Sequence, residues 1–284
     1  MIRILATIFA GLLGLAFGSF LNVCLSRWPE GESVVAPRSH CRNCDHTLAW
    51  WENLPLLSWL ALRGRCRKCG TTISWRYPLV ELTVGFLWAF VAWRSYQAFF
   101  PIEFAAGMML FMWVLVCLAI LDIEHLWLPN ALTLPGIVLG FCWWFLQGEQ
   151  VGWALHIPAD YLQDAKNAVE RLLAIASAAF LILLIRWLYK LIRHREGMGL
   201  GDAKLMALLA AWLGLPGALL SFGLAAILGS VAALALLAVP AARRGSESWA
   251  ASKLPFGTFL CIGGIVSALW GEPIIAAYLR WAGF

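Results

Sequence analysis

Long apolar stretches recur along this chain and constrain its fold more than any single residue does. They run from Ile2 to Cys24, Leu79 to Trp93, Phe104 to Leu121, Leu132 to Leu146, Leu172 to Tyr189, Pro216 to Val239 and Phe256 to Trp270, with the shorter Ala203 to Leu213 as an eighth. Each approaches the ~20 residues that cross a bilayer as a helix. In lipid a helix satisfies its own backbone polar groups, whereas an open strand leaves them bare. The composition agrees, with 62% hydrophobic residues, 13% charged residues and a mean hydropathy of +0.77, which excludes a water-soluble globule. The sequence therefore predicts an all-α polytopic membrane protein with about eight transmembrane helices. The first segment competes with a secretory signal, because Leu15 to Ser19 looks like a small-residue cleavage site. The basic loop that follows it reads instead as a cytoplasmic anchor.

The net charge of +5 does not point to nucleic acid. The basic residues gather in particular loops rather than along one element. The loop from Ser26 to Pro78 holds Arg27, Arg38, Arg42, Arg63, Arg65, Arg67, Lys68 and Arg76, whereas Ser95 to Glu103 holds no Lys or Arg. The bias of Lys and Arg toward the inner face places that loop in the cytoplasm. Eight crossings then put Lys190, Arg193, Arg195 and Lys204 inside, together with Arg243, Arg244 and Lys253, and leave Gln147 to Asn167 and the N-terminus outside. The expected organisation is a first helix over 1–25, a cytoplasmic loop over 26–78 and a membrane core over 79–284. No internal repeat is evident, and the tryptophans serve as interface anchors and packing.

Two aspartates stand out in this apolar setting, Asp122 in Leu-Asp-Ile-Glu-His-Leu-Trp-Leu-Pro and Asp202 in Gly-Met-Gly-Leu-Gly-Asp-Ala-Lys. A carboxylate beside lipid is costly, so an intramembrane acid marks a site unless it faces water. On the predicted topology both lie at the cytoplasmic boundary, Asp122 ending an inward span and Asp202 opening an outward one. The plain alternatives are a snorkelling helix end for Asp122, opposed by the helix dipole, and an N-cap for Asp202. Gly197, Gly199 and Gly201 favour a site at Asp202, since glycine lets the backbone turn and another chain approach closely. Two adjacent carboxyls do not both ionise cheaply. One keeps a proton and the other activates water against a peptide carbonyl, which is aspartic-protease chemistry.

The loop carries a second constellation. Cys41-Arg-Asn-Cys44 and Cys66-Arg-Lys-Cys69 are paired Cys-x-x-Cys elements with 21 residues between them, just outside the usual zinc spacing. Four thiolates would close a tetrahedral structural zinc site. Two disulfides are the competing arrangement and require an oxidising compartment, against which a cytoplasmic loop argues. His40 and His46 could replace a cysteine but read as solvated neighbours. Cys24, Cys117, Cys142 and Cys261 sit singly in apolar segments as small core residues.

Gly199-Leu-Gly-Asp202 matches the Gly-x-Gly-Asp signature of membrane aspartyl proteases, and Asp122 followed by Leu128-Pro129 resembles the other catalytic segment of the type IV prepilin peptidases. Gly18-Ser19-Phe20-Leu21-Asn22-Val23, Trp51 to Trp59, Arg76-Tyr77-Pro78-Leu79-Val80-Glu81 and Leu254-Pro255-Phe256-Gly257 also read like that family's blocks. Asn130 departs from the acid that many relatives carry after Leu-Pro.

The resemblance implies a bacterial inner-membrane enzyme that cuts the leader from prepilins or pseudopilins of a type IV pilus or type II secretion system. It acts at the cytoplasmic face through Asp122 and Asp202, then methylates the new N-terminus with S-adenosylmethionine. Glu81, which opens the second span, either lines the site or binds a substrate amine, with interfacial snorkelling as the alternative. Glu124 and His125 either modify Asp122 or face water, and Lys204 either supports the ionised carboxylate or follows the inner charge bias. Two other functions compete: a membrane aspartyl protease without methyl transfer, against which the cysteine loop argues, and a zinc-dependent transporter or sensor whose aspartates bind ions. A transporter should show more mid-membrane charge than this chain carries.

Overall fold

The computed structural model describes residues 1–98, 100–154, 161–194, 198–238 and 254–283. The expectations placed on Arg195, Gly197, Arg243, Arg244, Lys253 and the middle of the 147–167 connection lie outside the described residues. The described secondary structure is helical, apart from two isolated bridges in the cysteine loop. The chain divides into two compact units, Met1–Cys117 and Leu118–Phe284.

In the first unit, α1 (Ile2–Arg27) packs along α3 (Arg76–Gln97). Small residues set the approach. A Cβ at Gly14 would lie 2.9 Å from the Gly85 Cα, and one at Gly18 only 2.7 Å from the Glu81 Cα, the close backbone contact that replaces a hydrophobic drive between helices in lipid. Arg3 stacks over Trp93, 3.8 Å from the ring centre, at one end of the pair. At the other end Asn22 Nδ2 donates to the Tyr77 carbonyl at 3.0 Å. The opening part of α4 (Ile102–His125) joins this pair through Trp113, whose Nε1 donates to the Phe17 carbonyl at 3.1 Å.

Between α1 and α3 lies the loop, with 3-10 turns at Trp28–Glu30 and Trp50–Asn53 and the short helix α2 (Leu57–Ala61). Buried Arg27 ties it to α1 by donating to the Ser33 and Pro37 carbonyls, each at 2.8 Å. Glu81 ties it to α3, accepting the Leu56 N–H at 2.8 Å. Leu56 holds φ 59°, a left-handed conformation that costs a non-glycine residue free energy, and the carboxylate bond helps secure it.

The second unit contains the end of α4, α5 (Asn130–Ala154), α6 (Tyr161–Arg193), α7 (Leu200–Ala238) and α8 (Phe256–Trp281). Side-chain register gives the helix directions. Residues 130, 136 and 140 of α5 meet residues 204, 208 and 212 of α7, so the first part of α7 runs parallel to α5. Residues 171 and 186 of α6 meet 210 and 198, an antiparallel pair. Beyond residue 214 the partner changes. Gly217 meets Ser267, Ser221 meets Gly263 and Gly229 meets Phe259, so this part of α7 runs antiparallel to α8.

The start of α8 lies at Asp122, as does the start of α5, so the two arms of α7 run in opposite senses. The reversal falls at Gly214, with φ 74° and ψ 177° and Pro216 just beyond, a backbone conformation open essentially to glycine alone. Arg171 caps the break. Its Nη1 donates to the Ala210 carbonyl at 3.3 Å, a cation at a helix C-terminus where the dipole favours one, and its guanidinium lies 4.6 Å from the Trp144 ring centre.

By length and composition five described helices could cross a membrane, together with the shorter apolar helix Asn130–Phe145. That is fewer than the expected count of about eight. The difference has identifiable sources: α3 is not among those helices, the apolar part of α5 among the described residues is Asn130–Phe145, and the two segments expected on either side of Gly214 join in one helical run, Leu200–Ala238, broken at that glycine.

Candidate active site

Asp122 sits one turn before the end of α4, where Leu126 at φ 51° closes the helix by donating its N–H to the Asp122 carbonyl at 2.9 Å. The chain then turns through Leu128-Pro129 into α5. The Asp122 carboxylate is buried, at 6% exposure, and meets the first turn of α8. The Thr258 N–H donates to its Oδ2 at 2.7 Å and the Thr258 hydroxyl lies 3.2 Å from the same oxygen. Helix N-termini offer such unpaired N–H groups to an anion. Gly257 makes the approach possible, because a Cβ there would stand 2.9 Å from both Cγ and Oδ2 of Asp122.

Asp202 is also buried, at 7% exposure. It is not the N-cap of its helix: α7 begins at Leu200, which puts Asp202 in the third position, and its Oδ2 accepts the N–H of Gly199, the cap residue, at 3.1 Å. This is the acidic half of a capping box. Gly201 admits Leu128, whose Cδ1 would be 3.0 Å from a Cβ at that position, and the same Cδ1 would be 3.1 Å from a Cβ at Gly257. One leucine thus fills the space between the residue before Asp202 and the glycine against Asp122. Lys204 donates to Asn130 Oδ1. Asn130, read in the sequence as a neutral departure, is therefore the lysine's partner. Glu124 and His125 pair loosely with each other at 3.9 Å on a more exposed part of α4.

The cysteine loop brings its four sulfurs together. Cys41 and Cys69 Sγ lie 3.8 Å apart and Cys44 and Cys66 Sγ 3.9 Å apart, and all four fall within 4.8 Å of one another. Metal–sulfur bonds of about 2.3 Å in a tetrahedron imply edges of about 3.8 Å, so the donor set fits such an ion. All eight cysteines are free thiols, so the two-disulfide arrangement is not formed.

The two halves of this cluster repeat one another, contrary to the expectation of no internal repeat. His-Cys-Arg-Asn-Cys-Asp-His-Thr at 40–47 and Arg-Cys-Arg-Lys-Cys-Gly-Thr-Thr at 65–72 share both cysteines, the following arginine and the final threonine. Each half closes with a bridge, His40 to Thr47 and Arg65 to Thr72, and with a donor from its first cysteine to the residue five positions on. Asp45 at φ 53° and Gly70 at φ 73° occupy the same left-handed corner. His46 does not face the sulfurs as a spare ligand. Its Nε2 lies 3.3 Å from buried Glu52 Oε2, and Glu52 is held below the usual carboxylate range first by the Ala49 N–H and then by His46.

The Thr71 hydroxyl and N–H and the Asn43 amide hold Cys69 at about 5. Cys44 is favoured as a thiolate by the His46 N–H, but desolvation and the neighbouring sulfurs outweigh this and push it up to about 12. A cation held among the sulfurs would favour the thiolate form of its ligands.

Glu81 serves the first unit as the anchor of Leu56. Sequence reasoning missed Thr258 and Arg171. Thr258 immediately follows the recognised Leu-Pro-Phe-Gly block, while Arg171 lies one residue before the expected span and gives no local sign of its partner.

Fold and site together define a helical membrane protein with two buried carboxylates on neighbouring helices and a four-thiol loop. Residues 12–95 match the Bacterial Peptidase A24 N-terminal domain and residues 109–234 the Type IV leader peptidase family. Relatives named prepilin leader peptidase/N-methyltransferase align along almost the whole chain. The one from Stutzerimonas stutzeri is 36% identical, covering 95% of this chain and 92% of its own. The one from Pseudomonas aeruginosa is 34% identical over 96% and 93%, and that from Xanthomonas campestris 34% over 95% and 93%. The chain belongs to the type IV leader peptidase family. No solved structure matches it.

Proposed function

We propose that this chain cleaves the leader from type IV prepilins or pseudopilins at the cytoplasmic face of the bacterial inner membrane and N-methylates the mature N-terminus. The observation that carries the reading is the pair of buried carboxylates, each at a helix end and each fed by backbone donors, in a chain that aligns end to end with prepilin leader peptidases. Asp122 and Asp202 are the catalytic residues. The ionised carboxylate takes a proton from water, the resulting hydroxide adds to the scissile carbonyl carbon, and the protonated partner donates to the departing amine. The products are a leader carboxylate and a free amine, and the dyad's protons belong to the pair.

Gly199 and Gly201 support Asp202 by freeing the Gly199 N–H and admitting Leu128, while Lys204 holds the α5 start through Asn130. S-adenosylmethionine, when bound, supplies the methyl group, and family membership alone supports this second activity. Cys41, Cys44, Cys66 and Cys69 hold a zinc ion that shapes the cytoplasmic loop and, with all four positions taken by protein, does not activate water. Residues 26–78 form that loop, after the first helix over 1–25 and before the membrane core over 79–284. The partners are the prepilin substrate and membrane lipid, with no nucleic acid.

Mass spectrometry of a prepilin incubated with detergent-purified enzyme and S-adenosylmethionine tests the proposal. Wild type should remove the leader and add one methyl mass, and folded Asp122→Asn and Asp202→Asn should do no cleavage. Cleavage without methylation would leave a simple aspartyl protease. Intact substrate with folded wild type, across several prepilins, would refute the peptidase and favour an ion-binding role.

A further inference from the structure

Thr258 presents two groups to a single oxygen of Asp122 and none to the other. Its N–H is 2.7 Å and its hydroxyl 3.2 Å from Oδ2, and the hydroxyl is also 2.9 Å from the Ala119 carbonyl, one turn back on α4. The residue is buried, at 7% exposure. We propose that Thr258 is a positioning residue of the cleavage step, clamping Oδ2 of Asp122 so that Oδ1 is the oxygen presented to water. This inference rests on the peptidase reading of Asp122.

The clamp suits a carboxyl that changes charge during turnover. A hydroxyl has one proton to give. When Asp122 is ionised, the stronger, charge-assisted bond draws that proton to Oδ2. When Asp122 is neutral, the proton turns to the Ala119 carbonyl and the hydroxyl oxygen still faces the carboxyl as an acceptor. The N–H cannot turn, because the first turn of α8 fixes it, so it sets the orientation while the hydroxyl adapts to charge. Gly257 leaves room for the clamp, since any Cβ there would push on Cγ and Oδ2. Among the described residues, Asp202 on α7 is the partner carboxylate in the peptidase reading, Lys204 donates to Asn130, and Glu124 and His125 lie 3.9 Å apart.

Steady-state leader cleavage by Thr258→Val and Thr258→Ser tests the proposal. Valine keeps the N–H and the branched shape but loses the hydroxyl, and serine restores it. With one charge-assisted bond lost, kcat should fall roughly tenfold in Thr258→Val while KM stays within about twofold, and Thr258→Ser should recover most of the rate. If valine does not yield folded enzyme, Thr258→Ala removes the same hydroxyl and carries the same expectation. Wild-type kcat in the hydroxyl-free variant, a loss carried by KM, or a serine variant as slow as valine would overturn the proposal. Wild type unable to cleave would instead overturn the peptidase reading on which it stands.

Discussion

Asp122 and Asp202 reach the same burial by different local means. Asp122 ends its helix and takes donors from a residue 136 positions away, whereas Asp202 lies in the first turn of its helix and takes a donor three residues back. The second arrangement is local, and the Gly-x-Gly-Asp string announces it. The first is not, because the hydrogen bond exists only once α8 has docked. The cysteines follow the local pattern. Each Cys-x-x-Cys pair turns within its own short segment, and only the meeting of the two turns is long-range. Replacing Cys41 with Ser removes one of four thiolates, so zinc measured by plasma mass spectrometry should fall from about one ion per chain to well below half. Equal zinc in both proteins, or none in either, would refute the assigned metal site.

Among the helices, α7 is the element least legible in advance. Its two apolar stretches are visible as 203–213 and 216–239, and Gly214 with Pro216 between them marks an interruption, but the interruption alone is equally compatible with a kink. The reversal is shown by the change of partner from α5 to α8, with Arg171 satisfying the carbonyl end of the first arm. Gly214 holds a conformation that side-chain-bearing residues avoid, and a Cβ there would stand 3.0 Å from Arg171 Nη1. Gly214→Ala should therefore destabilise the second unit by about 1–3 kcal/mol, lowering the melting temperature of the detergent-solubilised enzyme by several degrees. An unchanged melting temperature would mean that the break tolerates a side chain.

The opposed arms of α7 also decide the topology of the whole chain. If each arm crosses the membrane, α1, α3, α4, α5, α6, the two arms and α8 make eight crossings and both termini lie on one face. If α7 crosses once, the termini lie on opposite faces. Epitope tags at the two ends, probed with protease on intact spheroplasts, distinguish these cases. Both tags should be removed from outside, and a protected C-terminal tag would rule out the hairpin in the membrane.

Helical class, membrane residence, the candidate acids and the candidate thiols were all legible in the sequence. Each depends on composition or on spacing within about one turn, and such short-range preferences act before the chain packs. The pairing of Asp122 with the start of α8, the filling of the space between Gly201 and Gly257 by Leu128, the capping of α7 by Arg171 and the capture of Lys204 by Asn130 were decided only by the tertiary structure. Each joins residues tens of positions apart, and which apolar faces meet depends on where small residues let helices approach, a property of pairs of helices rather than of either one.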